Sequence, residues 1–131
     1  MDEAQLPVYT EWIHNSVRDV ESATVSLKKM MEMPSRPTAV CCINDMCAVY
    51  ALKAASELGI SIPDQLSFIS IDDILISSYV HPELTTVSYD KIEIGKETAR
   101  LLIRMLDGKV AESMVISSNT IMERRSVASI L

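Results

Sequence analysis

The sequence predicts an α/β domain built on a parallel sheet, and three observations carry that expectation. Between residues 36 and 73 the chain reads strand, helix, strand: an apolar run at 38–43, an apolar-rich helical stretch at 45–58 closed by Gly59, and a second apolar run at 66–71. Both strand runs are nearly continuous in apolar residues, as in strands covered on both faces, and the helix between them is long enough for the crossover that parallel neighbours need. Each run then ends in polar residues, Asn44 and Asp45 after the first and Asp72 and Asp73 after the second. In open α/β sheets ligands bind beyond the carboxyl ends of the strands, so these pairs mark where a site is expected.

Taken in order, the chain opens with a short β-prone run at 8–13 behind Pro7, read as an edge or first strand. A polar connector leads to a helix over 20–33, where Val20, Ala23, Thr24, Leu27, Met30 and Met31 recur at helical spacing and Pro34 supplies the stop. In the central helix Met46, Ala48, Val49, Ala51, Leu52, Ala55 and Leu58 leave only a narrow polar stripe of Lys53, Ser56 and Glu57. A helix that apolar needs cover on more than one side, from the core or from a subunit interface. Gly59 and the turn at 60–65 lead into the second strand. After a loop around Pro82 comes a strand at 84–89, then a helix over 92–106 that Asp90 caps, with Glu93 completing a pair like a capping box. The tail at 113–122 alternates as a final strand would, and Glu123, Arg124 and Arg125 follow it.

Composition narrows the function. The 131 residues suffice for one domain with a real core, and 48% hydrophobic with 23% charged residues is ordinary for a globular protein. A net charge of −6 argues against a direct footprint on nucleic acid, which needs clustered Lys and Arg. No run approaches the roughly 18 to 20 apolar residues of a membrane span, and the polar start lacks a signal-peptide pattern, so the expected location is cytoplasmic, with no membrane partner. The three cysteines, Cys41, Cys42 and Cys47, are odd in number and closely spaced, a poor disulfide framework, and are read as small core or near-core residues.

Most catalytic chemistries are set aside. The only glycines are Gly59, Gly95 and Gly108, too few for a dinucleotide loop or a P-loop. His14 and His81 are far apart, no Cys or His pair has metal-site spacing, and two short acidic loops rarely supply the six oxygens a hard cation prefers. No serine sits in a nucleophile elbow. The expectation is therefore no enzyme, no metal and no cofactor.

The runs PTAVCCINDMCAVYALKAASELGISIPDQLSFISIDD and YVHPELTTV, the helix ending RLLIRMLDGK and the tail ERRSVA resemble the C-terminal part of LacI/GalR-family transcription regulators, with the blocks in family order and spacing. The resemblance covers essentially the whole chain. It implies a periplasmic-binding-protein-like lobe, three layers with helices on both faces of a parallel sheet. It also implies a sensor: a small-molecule effector, a sugar or nucleobase-like compound, bound in a cleft between two lobes, and operator DNA gripped only through a headpiece outside this chain. Residues 1–131 would be chiefly the C-terminal lobe, with 84–108 crossing to the other lobe and most of the N-terminal lobe absent. The alternative is a ligand-binding module akin to a periplasmic sugar-binding protein, with no DNA role.

Carried over by position, the resemblance makes Asn44 and Asp72 effector contacts, an amide and a carboxylate that together offer donors and acceptors to hydroxyls or ring N–H groups. Arg18 stands where relatives often place an aromatic that stacks on the ligand, which implies a polar or anionic effector or a degenerate site. Plainer roles stand beside these: Asp72 as the cap of a turn, Asn44 or more readily Asp45 as the N-cap of the central helix, and Arg18 as a solvated connector residue. The apolar surface of the central helix, with the uncharged stretch 74–80, predicts a homodimer interface at Val49, Leu52, Leu75, Tyr79 and Val80, where the resemblance also places one.

Overall fold

The computed structural model describes residues 9–110, 113–117 and 119–129. Strands β1 (Ala39–Cys41), β2 (Ser67–Ile71), β3 (Thr85–Tyr89) and β4 (Asn119–Met122) form one four-stranded sheet in that order. The first three are parallel and β4 runs antiparallel against β3. Helices α1 (Val20–Glu32) and α2 (Asp45–Glu57) precede and follow β1, and α3 (Lys91–Leu106) follows β3. The expected α/β class, with its parallel-dominated sheet, is what forms.

The core lies where α1 and α2 meet the sheet: Ala23, Leu27 and Met30 from α1, Ala48, Ala51, Leu52, Ala54 and Ala55 from α2, and Phe68 from the middle of β2 are all buried. Small alanines along α2 let it lie close to α1, which accounts for burial over so much of its circumference. α2 closes at Gly59, whose φ of +70° is a left-handed conformation that glycine adopts without penalty. Beyond β4 the tail returns to the start of the β2–β3 seam. There the buried Ser126 hydroxyl donates to the Phe68 carbonyl at 2.6 Å and accepts from the Thr85 amide at 2.8 Å.

Three expectations are corrected. The opening strand does not form: Thr10–Trp12 is a 3-10 turn, with the Tyr9 ring packed at a 50° tilt against Trp12, 4.6 Å between ring centroids, and Val8 lies outside the described residues. The run is β-prone, but that propensity measures fit to a neighbouring strand, and none is paired with it. The final strand is shorter than the alternation implied, since only Asn119–Met122 pairs with β3 and residues 113–117 do not, Ser118 lying outside the described residues. Cys41 is exposed rather than in the core, because its side chain alternates away from the buried Cys42. Burial pushes the Cys42 thiol well above its ordinary value, so this cysteine is chemically quiet.

No residue of α3 is buried. Leu102, Ile103, Met105 and Leu106 stand exposed, while Ile94 and Leu101 are half-buried and border a hollow shared with Met114 and Ile116.

Candidate functional site

The site is built at the carboxyl edge of the sheet. β1 pairs with β2 through Ala39 with Ser67 and Cys41 with Ile69, and Asn44 and Asp72 follow the carboxyl ends of these two strands. Arg18 stands immediately before Asp19, the N-cap of α1.

The local roles are not all those expected. Asn44, and not Asp45, is the N-cap of α2: its Oδ1 accepts from the Cys47 amide at 2.8 Å. The Asn44 amide nitrogen is left for other uses by this geometry. Asn44→Ala is expected to cost about 1 kcal/mol in chemical unfolding, the usual worth of such a cap. A loss well under half of that would show that the cap bond is not formed. Arg18 is exposed, and its backbone amide donates to Ser22 Oγ at 3.0 Å.

Asp72 and Asp73 form a sharp bend after β2, with φ of +124° and +48°, conformations that side-chain-bearing residues rarely adopt. Asp72 Oδ1 accepts from the Tyr89 hydroxyl at 2.7 Å, and the Lys91 ammonium donates to the Asp72 carbonyl. The hydrogen bond to Asp72 raises the Tyr89 phenol above its ordinary value. Asp73 Oδ1 pairs with Arg124 Nη2 at 2.6 Å, and Arg124 also donates to the Leu84 carbonyl at 2.7 Å.

The residue that organises the edge is Asp45. It is fully buried, and its carboxylate collects four hydrogen bonds: Ser70 Oγ and Thr86 Oγ1 donate to Oδ1, the latter at 2.6 Å, while Ser77 Oγ and the Ile74 amide donate to Oδ2 at 2.5 and 2.9 Å. As the first residue of α2 it also stands at the positive end of the helix dipole. Burial pushes its pKa up, but the bonds from Ser70, Ser77, Thr86 and the Ile74 amide outweigh burial and hold it below the ordinary 3.8. A carboxyl lowered on folding contributes stability that is complete above about pH 3.8 and is lost as pH falls below that through the folded-state value. Asp45→Asn should therefore lose less additional stability than the parent on acidification through that window, measured by urea unfolding at a series of pH values. An equally steep acid limb in the variant would assign the effect to other carboxylates.

Sequence reasoning gave Asp45 only a capping role, yet a signal was present. Ser70, Thr85 and Thr86 interrupt otherwise apolar strands, and buried hydroxyls require partners.

Of the expected interface residues, Leu75 and Tyr79 are 77% and 75% exposed, on and beside the 3-10 turn Leu75–Ser78. Val49 and Val80 are half-buried. Leu52 is corrected: it is buried in the chain's own core against α1 and is not available to a partner.

A cavity of about 440 Å³ lies beside the site, between the segment Trp12–Asn15, α1 and the end of β1. Ile43 and Ile71 line it but Arg18, Asn44 and Asp72 do not. Among the described residues no cluster of His, Cys, Asp and Glu has the arrangement of a metal site, and no helix is long and apolar enough to cross a membrane.

The sequence profile of the periplasmic binding protein-like domain matches residues 1–127. The chain belongs to that family. Within the periplasmic binding protein-like family its kin are LacI/GalR-type regulators, whose effector-binding domain it shares. It is 36% identical over 129 residues to the HTH-type transcriptional repressor PurR of Serratia proteamaculans (strain 568), covering 98% of this chain and 38% of that protein. A LacI family transcriptional regulator from Mycobacterium smegmatis has a similar structure, with a TM-score of 0.82 at 26% identity over 97% of this chain and 48% of that one. The Escherichia coli transcriptional repressor ascG gives 0.76 at 28% identity, over 98% and 46% respectively. The chain thus spans less than half the length of these relatives.

Proposed function

We propose that this chain is the effector-sensing and dimer-forming part of a LacI/GalR-type transcription regulator, one that takes up a polar small molecule, a sugar or nucleobase-like compound, and alters operator affinity. The observation that supports this reading is that Asn44 and Asp72 follow the carboxyl ends of two adjacent parallel strands, where α/β sheets bind their ligands. The pair offers donors and acceptors of the kind that vicinal hydroxyls or ring N–H groups require. Arg18 adds a cation, suited to an electron-rich or anionic group on the ligand.

One edge encloses only one side of a ligand, and small-molecule sites normally bury most of theirs. The other wall of the cleft belongs to a second lobe, and the exposed apolar residues Leu102, Ile103, Met105 and Leu106 of α3 favour segment 84–108 as the part that joins it. DNA binding falls to a headpiece outside this chain, in keeping with the net charge of −6 and with helix-turn-helix relatives. A cytoplasmic location follows from that role. A regulator of this kind is a sensor and no enzyme.

The experiment is a DNA-binding titration of the full gene product on the control region of its own operon, with a panel of pentoses, hexoses and nucleobases. At least one compound should shift the midpoint tenfold or more, the usual size of such coupling being about 5- to 150-fold. Binding that ignores every compound, or a gene product with no DNA affinity, would overturn the reading in favour of a binding module without a DNA role.

A further inference from the structure

We propose that Asp45 is the positioning residue of the effector site: its carboxylate holds the bend at Asp72 and Asp73 in the geometry that presents the Asp72 side chain, and joins that bend to the turn bearing Leu75 and Tyr79. The proposal rests on reading Asp72 as an effector contact.

The carboxylate is divided between a fixed part of the fold and a loop. Oδ1 takes its bonds from Ser70 at the end of β2 and Thr86 in β3, two strands paired through Ser70 and Thr86 themselves. Oδ2 takes its bonds from the Ile74 amide and Ser77, which bracket the loop just past the bend. One buried group therefore references the loop to the sheet. The bend needs such a reference, because adjacent residues at φ of +124° and +48° hold their conformation only where the surroundings over-determine it. Its amides are fixed in turn: Asp72 donates to the Val87 carbonyl at 3.0 Å, Asp73 to Thr86 Oγ1 at 3.3 Å, and Ile74 to Asp45. Of the donors on Oδ2, the Ser77 hydroxyl can rotate to another acceptor, but the Ile74 N–H cannot. Loss of Oδ2 would release the bend at that amide, with the Asp72 carboxylate two residues away.

Ser77→Ala and Ser70→Ala separate this from a merely structural role, since each removes one neutral donor from one oxygen of the same carboxylate. Two readouts are used on the chain: backbone amide exchange, and the titration of Tyr89 followed by carbon-13 tyrosine resonances. The Tyr89 phenol is raised chiefly by its bond to Asp72, so it reports the position of that side chain. Ser77→Ala should speed exchange at Ile74 by about tenfold and bring the Tyr89 midpoint down toward the ordinary 10.0, leaving the core amide of Phe68 unchanged. Ser70→Ala should leave Tyr89 where it is. Identical responses to the two variants, no response at Ile74 and Tyr89, or exchange at Phe68 rising in step with Ile74 would each overturn the proposal. An unchanged effector dose response in Asp72→Asn would instead overturn the reading of Asp72 as a contact, leaving the positioning of the bend standing.

Discussion

Asp45→Leu is expected to lower the free energy of unfolding by about 3 to 5 kcal/mol, as when one partner of a buried charged network is removed. Leucine fits the space roughly but offers no acceptor. The part-buried Ile74 N–H loses its partner, and the buried hydroxyls of Ser70, Ser77 and Thr86 lose charge-assisted bonds worth more than neutral ones, each unsatisfied buried group costing about 1 to 3 kcal/mol. The burial of Asp45 prevents water from replacing them. Replacing the hydroxyls together with the carboxylate, as Asp45→Leu, Ser70→Ala and Thr86→Val, should recover part of the loss, because fewer donors are then left unpaired. Urea unfolding at neutral pH measures both. A loss under about 1 kcal/mol in the single variant would show that the network is not the organising feature of this edge.

Leu75→Asp combined with Tyr79→Asp is expected to convert a dimer to a monomer. Both side chains are more than two-thirds exposed, with Ile76 between them 43% exposed, so they present an apolar patch left uncovered by the described residues. Burying such area is worth about 25 cal/mol per Å², and in a two-fold interface the same patch meets itself, so each substitution counts twice. Two carboxylates placed at that centre would face two more across the axis. The parent should run at twice the chain mass by light scattering and the variant at the chain mass. The competing surface is α3, where Leu102 and Leu106 are exposed. If the double variant stays dimeric and Leu102→Asp with Leu106→Asp does not, association runs through α3 and the assignment to Leu75 and Tyr79 is wrong.

The fold was legible because its parallel strands are written as apolar runs and their helices as apolar stripes, although β1 is an edge strand with Ala39 and Cys41 exposed and so is not covered on both faces. β1, α2, β2, β3 and α1 therefore lie within a few residues of their expected places. The segment 8–13 misled because β propensity describes a surface that suits a neighbour, and the described part of it turns instead onto the Tyr9–Trp12 contact. α3 was read correctly as an amphipathic helix, but periodicity says which face is apolar and nothing about what covers it.

The candidate site was half legible. Asn44 and Asp72 stood out because polar residues that close apolar strands lie where α/β sheets bind ligands, and both do follow the ends of adjacent parallel strands. The capping bond of Asn44 and the buried network of Asp45 could not be apportioned from sequence. An Asn-Asp pair before a helix suits either order, and the deciding partners, Ser70, Ser77 and Thr86, are 25 to 41 residues away. The ion pair of Asp73 with Arg124 spans 51 residues and was invisible for the same reason.

Asp72→Asn in the full gene product tests the central claim most directly. Asparagine keeps an oxygen for the Tyr89 hydroxyl and tolerates the unusual backbone better than most residues, so the bend should survive while the charged acceptor is lost. A charge-assisted hydrogen bond is worth about 1.5 to 3 kcal/mol, which corresponds to a rightward shift of about 10- to 100-fold in the effector concentration for half-maximal change in operator binding. Operator affinity in the absence of effector should remain within about twofold of the parent, since Asp72 makes no contact with DNA in this account. A dose-response curve that superimposes on the parent's, measured with the same effector, would contradict the assignment of this edge as the effector site.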